Sequence, residues 1–521
     1  MTAALACAAT SAPSAAHAQA AAAIGMTSTK LQDRTMQVTL MRDGRRTIET
    51  IAGTYEGPIE NFFLIVPVPV AVTKENVSTL VHKEFERIDA FASPRLDELW
   101  ERDPCAAQTD AAAPEPSAST PRPAPSAARI PGADAGADAG VAKVEAQFVT
   151  AEYDVTVLSA ADSQALDAWM KGQKLVLPEG GDAYLAPYAK AGWRFVVAKV
   201  NVLKVFFIRN HGLLSPLRIV FDTDDFQLPL RPALINSPPG GQDLVVNILA
   251  RGQRYEPANY ASILADTNVE VNDAAKAQFA PMHEALLELA LKRNPRGIVT
   301  EFAGPVPACD TCVPPSLSAA EILSFGADVI PPPPNGDRTS GFVLTRLHTR
   351  YAPEAITDDL VLRAAPPIAG GREVLAANGE IEKGAHSSDT NDFRTRYVVR
   401  HPWTSAVACD APKRGVWGGY PGGTKVAPMI AHSIGFVGPT KMELGVFLRE
   451  DLPDLDLHPT SLPPPPDDSP PAVAPAPSAS PTPATSGCGS CEVGARAVEG
   501  AWWWAVAAAL VTLRRRARSV R

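Results

Sequence analysis

The sequence predicts an α+β body, rich in β-structure with few helices, followed by a proline-rich spacer and a single C-terminal hydrophobic helix. Three observations carry that prediction. Short β-branched runs recur without regular strand–helix alternation, which argues against a doubly wound parallel sheet. Two stretches of Ala, Pro and Ser interrupt the chain and cannot offset their own conformational entropy. Near the C-terminus an uncharged apolar run ends in clustered arginines.

Residues 1–26 read as a signal or leader. Residues 1–18 are almost all Ala, Ser, Thr and Leu, and Ala16-His17-Ala18 has the small-x-small form of a cleavage site before Gln19. No Lys or Arg stands before Ala18, so the usual positive n-region is missing. Residues 27–105 form the N-terminal part of the body. Met36 to Leu40 alternates as a strand does, and Phe62 to Val66 is an apolar run ending in Pro67-Val68-Pro69-Val70. Those prolines cannot donate to a ladder, so the run is an edge strand or leaves its sheet there. Glu84 to Leu99 reads as a short helix interrupted by Pro94.

Residues 106–142 are a disordered Ala/Pro/Gly insertion by composition. The main body spans 143–452. Strands are expected at Phe148–Leu158, Leu217–Phe221, Leu244–Leu249, Phe342–Tyr351 and Arg396–Trp403, with an apolar run at Trp193–Ile208. Helices are expected at Ser163–Lys171 and Ala274–Arg293, where Phe279, Met282, Leu286 and Leu289 share a face and Pro295 is the stop. Ser318 and Glu321 make a capping box.

Residues 453–486 are a second Pro-rich segment, a stiff spacer of up to ~100 Å at roughly 3 Å per residue. Residues 487–521 carry the most explicit signal. Gly487-Cys488-Gly489-Ser490-Cys491 precedes a hydrophobic helix at 501–513, in which Trp502, Trp503 and Trp504 occupy the outer interface. Arg514, Arg515, Arg516 and Arg518 then resist translocation. Thirteen residues rise only about 20 Å against a hydrocarbon layer of about 30 Å, which suits a transient sorting signal better than a permanent span. The arrangement resembles the C-terminal sorting tags of myxobacteria. That resemblance implies processing near Cys488 or Cys491 by a sorting machinery, and attachment at the surface.

The charge of −9 excludes a general nucleic-acid binder, which needs a positive surface. Four body cysteines, Cys105, Cys309, Cys312 and Cys409, allow three connectivities in an exported protein. Cys309 with Cys312 and Cys105 with Cys409 is the favoured set. A zinc site or a redox pair at Cys309-Asp310-Thr311-Cys312 is the sharper alternative. Prolines on both sides place that motif on a loop, and no second ligand pair follows.

No catalytic, cofactor or metal constellation is legible. His283-Glu284 begins like a zinc-peptidase motif, but Leu287 stands where the second histidine is needed, so a solvated helix face is expected. Asp222, Asp224 and Asp225 lack calcium-loop spacing and read as a polar turn. Trp403 reads as a packing anchor beside His401.

Several segments together resemble a family of exported bacterial proteins, domain-of-unknown-function family 2330. They are Phe63 to Pro69, Arg87 to Trp100 with Ser93-Pro94-Arg95-Leu96, Tyr153 to Ala160, Phe195 to Val200, Leu344 to Tyr351 and Arg396 to Trp403. The resemblance is expected to run from about 27 to 450 and implies no activity. The reading is therefore an exported, envelope-anchored, non-enzymatic binding or structural module, with the membrane and sorting machinery as partners. The alternative is an envelope hydrolase or metal-dependent enzyme whose site assembles only in the fold, around His211, His348 or His401.

Overall fold

The computed structural model describes residues 21–26, 35–56, 62–106, 142–208, 211–236, 242–306, 316–334, 336–351, 357–372, 381–421, 426–432 and 442–460. Residues 107–141 of the expected insertion, Cys309 and Cys312, the expected spacer from residue 461, and the segment read as a sorting tag, with Cys488, Cys491, Trp502 to Trp504 and Arg514 to Arg516, lie outside them. Among the described residues no helix is long and apolar enough to cross a membrane.

The chain opens with strands β1 (Ala22–Gly25), β2 (Thr35–Asp43), β3 (Arg46–Ala52) and β4 (Phe62–Val68). Helix α1 (His82–Ala92) is followed by β5 (Arg95–Glu101), β6 (Lys143–Thr150) and β7 (Tyr153–Ser159). Next come α2 (Ser163–Gly172), α3 (Gly181–Lys190), β8 (Arg194–Val200), β9 (Leu217–Asp222) and β10 (Gln242–Arg251). The remaining principal elements are β11 (Val269–Val271), α4 (Phe279–Arg293), β12 (Gly297–Pro305), β13 (Phe342–Tyr351) and β14 (Arg396–His401). The β-rich class with few helices is what the sequence predicts.

One sheet runs β1-β4-β8-β7-β6, and a larger one has the central order β12-β13-β10-β2-β3-β9. In the larger sheet β2 and β10 are parallel, while their outer neighbours are antiparallel. Alternation along β4 explains its unbroken apolar run. Phe62, Leu64 and Val66 pack with Met36, Val38 and Leu40 of the larger sheet. Phe63 and Ile65 pack on the other side with Leu166 and Met170 of α2 and Leu185 and Tyr188 of α3. The far face of the larger sheet, through Met41, Ile48, Leu249 and Leu344, takes Phe85 and Ile88 of α1. The body is thus layered helix, sheet, sheet, helix. A third sheet sets β11, β14 and β5 side by side in parallel pairs, and α4 covers it with Phe279, Met282 and Leu286.

Several expectations are corrected. Ala22–Gly25, inside the stretch expected to be a leader, forms a strand paired with Phe62–Ile65. Packing continues past 452, since the Thr460 N–H donates to the Gly445 carbonyl at 2.9 Å. Glu84–Leu99 is not one helix. Pro94 holds Ser93 extended (φ −65°, ψ 154°), and the chain beyond becomes β5, stabilised by a partner 301 residues away. Phe148–Leu158 is a hairpin, not one strand, because Ala151 turns the chain at φ 48°. The long helix over 274–293 breaks at Gln278, leaving a single turn before α4. Pro67 sits inside β4 opposite Phe195 of β8, beyond the described pairing with β1. Within sheets a proline is confined to positions where the ladder does not need its missing donor.

Candidate functional site

On β13 the side chains of Arg346, His348 and Arg350 alternate with Leu347 and Thr349, so they share one face. The ladder registers Asn247 opposite Arg346, then Thr39 opposite Asn247, Thr50 opposite Thr39 and Arg218 opposite Thr50. A polar row therefore crosses five strands beneath α1. The register of β12 against β13 slips by one between Thr300 and Phe302. Such a bulge re-aims the extra residue. Here that residue is Glu301, and its carboxylate joins the polar row.

Glu301 is fully buried and saturated with donors. Its Oε1 meets His348 Nδ1 at 2.8 Å and His283 Nε2 at 2.9 Å, and its Oε2 accepts from Arg346 Nε at 2.7 Å. Arg346 reaches onward from Nη1 to Asp89 Oδ1 of α1 at 2.9 Å. Asp89 also accepts from Gln37 and Ser93, and its Oδ2 meets the half-exposed His432 at 3.0 Å. His283 Nδ1 lies 3.0 Å from the Tyr397 hydroxyl of β14. Alongside, Arg350 donates to both oxygens of Asp243, at 2.8 and 3.2 Å, and to Glu288 at 3.3 Å.

The electrostatics follow from burial and pairing. Burial opposes ionisation of Glu301, but the His348 charge, the hydrogen bonds from His283 and His348, and Arg346 outweigh it and hold the carboxyl well below the usual range. Burial also opposes a charge on His348, and Glu301 overcomes it, so that imidazole is raised. For Glu284 the opposing charges of His348 and Arg350 are outweighed. Burial first, then the Asp243 charge, push it up to about 8.

Two overlapping groups have the donor types of a metal centre, each with its ligand atoms within 4.8 Å of one another: His283, Glu301 and His348, and Asp243, Glu284 and His348. In the first, the facing atoms are already joined by hydrogen bonds, and the Arg346 guanidinium supplies the cation. That geometry is a closed ion-pair network. A pocket of about 110 Å³ adjoins it, walled by Leu264, Leu286, Leu287 and Leu455, with His283 and Tyr397 reaching its lining and Asp266 and Asp454 also on it.

The solvated-face expectation for His283-Glu284 is overturned. His283 is 5% exposed, because α4 turns that face onto β12 and β13 rather than to water. The second imidazole comes from another strand, so the local motif could not reveal it. The legible signal is the basic residue at every second position of Arg346-Leu347-His348-Thr349-Arg350, within a strand that is otherwise apolar or threonine. Cys105 and Cys409 are disulfide-bonded, with Cα atoms 5.6 Å apart. Asp222 and Asp224 pair with Arg46 and Arg45, as a polar turn does. His401 stacks on Trp100 at 4.7 Å and meets Glu98 at 2.7 Å, apart from the buried network. Trp403 is half-buried, and its backbone N–H donates to Glu101 Oε2 at 2.9 Å. The side chain of His211 lies outside the described residues.

A family model described as an uncharacterized protein conserved in bacteria (DUF2330) matches residues 14–363. That is more than half of the chain, so the chain belongs to this family. The match ends before Arg396–Trp403, short of the expected extent. No curated protein and no solved structure matches the chain.

Proposed function

We propose that this chain is an exported, envelope-tethered, non-enzymatic module that binds a ligand or braces a larger assembly. The observation that carries the reading is the disulfide between Cys105 and Cys409. Such bonds persist in oxidising compartments outside the cytoplasm, in agreement with the leader at one end and the Cys/hydrophobic/Arg segment at the other. Arg346 and Glu301 are at most 1% exposed and spend their hydrogen bonds on protein partners, so the network serves as an internal brace. The pocket beside Tyr397 is a small, concave, largely apolar surface.

Cell fractionation with intact-mass analysis of the mature protein tests the proposal. The expected product sits in the envelope fraction, has lost the leader before Ala21, and carries Cys105 and Cys409 without free thiols. Uncut, fully reduced protein in the cytosolic fraction would overturn it.

A further inference from the structure

His348, Glu284 and Asp243 converge from β13, α4 and β10, three elements distant in sequence. Nδ1 of His348 is committed to Glu301 Oε1 at 2.8 Å. A metal ion arriving at Nε2 would displace that nitrogen's proton, while Nδ1–H stays on the ionised Glu301, so the ring would then offer the Nε2 lone pair. That nitrogen is buried, in a side chain 2% exposed, and has no hydrogen-bond partner. Histidines that ligate metals commonly donate their other N–H to a carboxylate, which fixes this tautomer. Glu301 fills that role here and is itself oriented by Arg346. Glu284 Oε2 is likewise buried and without a hydrogen bond, with Arg350 Nη2 at 3.6 Å. Around these atoms the carboxylates Asp89, Asp243, Glu284 and Glu301 share the guanidiniums of Arg346 and Arg350 and the imidazoles of His283, His348 and His432.

We propose that Asp243, Glu284 and His348 form a binding site for a divalent first-row transition ion of the Zn²⁺ type, through one imidazole nitrogen and two carboxylate oxygens. The donor set selects this class. An imidazole nitrogen suits zinc and its neighbours, whereas calcium and magnesium prefer all-oxygen shells. Bonds of about 2.0–2.2 Å in a tetrahedral shell set ligand atoms roughly 3.3 Å apart. The three atoms lie within 4.8 Å of one another, and Glu284, unbonded at Oε2, is free to close the difference by rotation. Arg350 stays on Asp243 as its orienting partner.

The test uses the full chain, stripped with chelator and dialysed against Zn²⁺, with Co²⁺ as a spectroscopic stand-in. The parent is expected to take up the ion, to melt at a higher temperature when loaded, and to ignore Mg²⁺ as competitor. Its Co²⁺ spectrum is expected to lack thiolate charge-transfer bands. Glu284→Gln should weaken Zn²⁺ by about tenfold or more and lose the thermal shift. Glu284→Ala removes the same oxygen without a new polar group and should repeat that loss. Undiminished Zn²⁺ affinity in both variants, thiolate bands in the Co²⁺ spectrum, or a folded parent that binds no Zn²⁺ would each overturn the site. The site stands or falls independently of where the protein resides.

Discussion

Arg346 Nη1 and Asp89 Oδ1 lie 2.9 Å apart although 257 positions separate them, and neither side chain is more than 1% exposed. The pair bolts α1 to the centre of the larger sheet. Its geometry dictates what its loss would do.

Arg346→Met removes the shared cation and leaves Asp89 and Glu301 buried without the guanidinium that joins them. The expected cost is about 3–5 kcal/mol, seen as a lower urea midpoint. Arg346→Lys should rescue little, because one ammonium cannot replace the guanidinium fork that serves both carboxylates. Adding Asp89→Asn to Arg346→Met should recover part of the loss. If the double variant is no better than the single one, burial of the Asp89 charge is not the cause.

Glu49 predicts a pH dependence. It lies 1% exposed in the core between the two sheets, between Leu40 and Ile219 in register, and its Oε1 has no partner. Burial alone pushes it from 4.5 up to about 8. Between those values the folded state holds a proton that the unfolded state has released, so stability falls as pH rises across the window. Glu49→Gln should match the parent near pH 4 and exceed it by on the order of a few kcal/mol above pH 8. Denaturation at both pH values checks this, and an equal decline in the variant would refute it.

The disulfide should matter to stability as well as to location. Cys409→Ser opens a loop closed across a separation of 304 residues, for an expected loss of about 2–5 kcal/mol. A reductant should lower the melting temperature of the parent more than that of the variant. Equal responses would mean that the bond contributes nothing.

Gly371 follows the short strand Ile368–Gly370 with φ +73°, and a Cβ there would meet the Arg394 carbonyl oxygen at 2.0 Å and Thr267 Oγ1 at 2.1 Å. Gly371→Ala therefore combines an unfavourable backbone region with a backbone clash. The expected loss is more than about 1 kcal/mol, read from chemical denaturation.

What the sequence made legible was whatever depended on local period and punctuation. The strands over Met36–Leu40, Leu244–Leu249 and Phe342–Tyr351 alternate strongly enough to be read directly, and the helix at Ser163 carries its own cap at Asp162. Arg95–Glu101 was misread because its strand character comes from β14, not from its neighbours in sequence. The polar network escaped for a related reason. Its members come from α1, β10, α4, β12, β13 and the segment around His432, and the bulge that aims Glu301 depends on register with another strand. Each residue alone has an ordinary explanation, and only their convergence does not.

The parallel pairing of Arg95–Glu101 with Arg396–His401 has a temporal side. A ribosome adding roughly 5–20 residues per second needs about 15–60 s to travel from one strand to the other. Throughout that interval the earlier strand waits with a bare edge. A chaperone that shields nascent β-edges is therefore expected to sit on this segment until the later strand arrives.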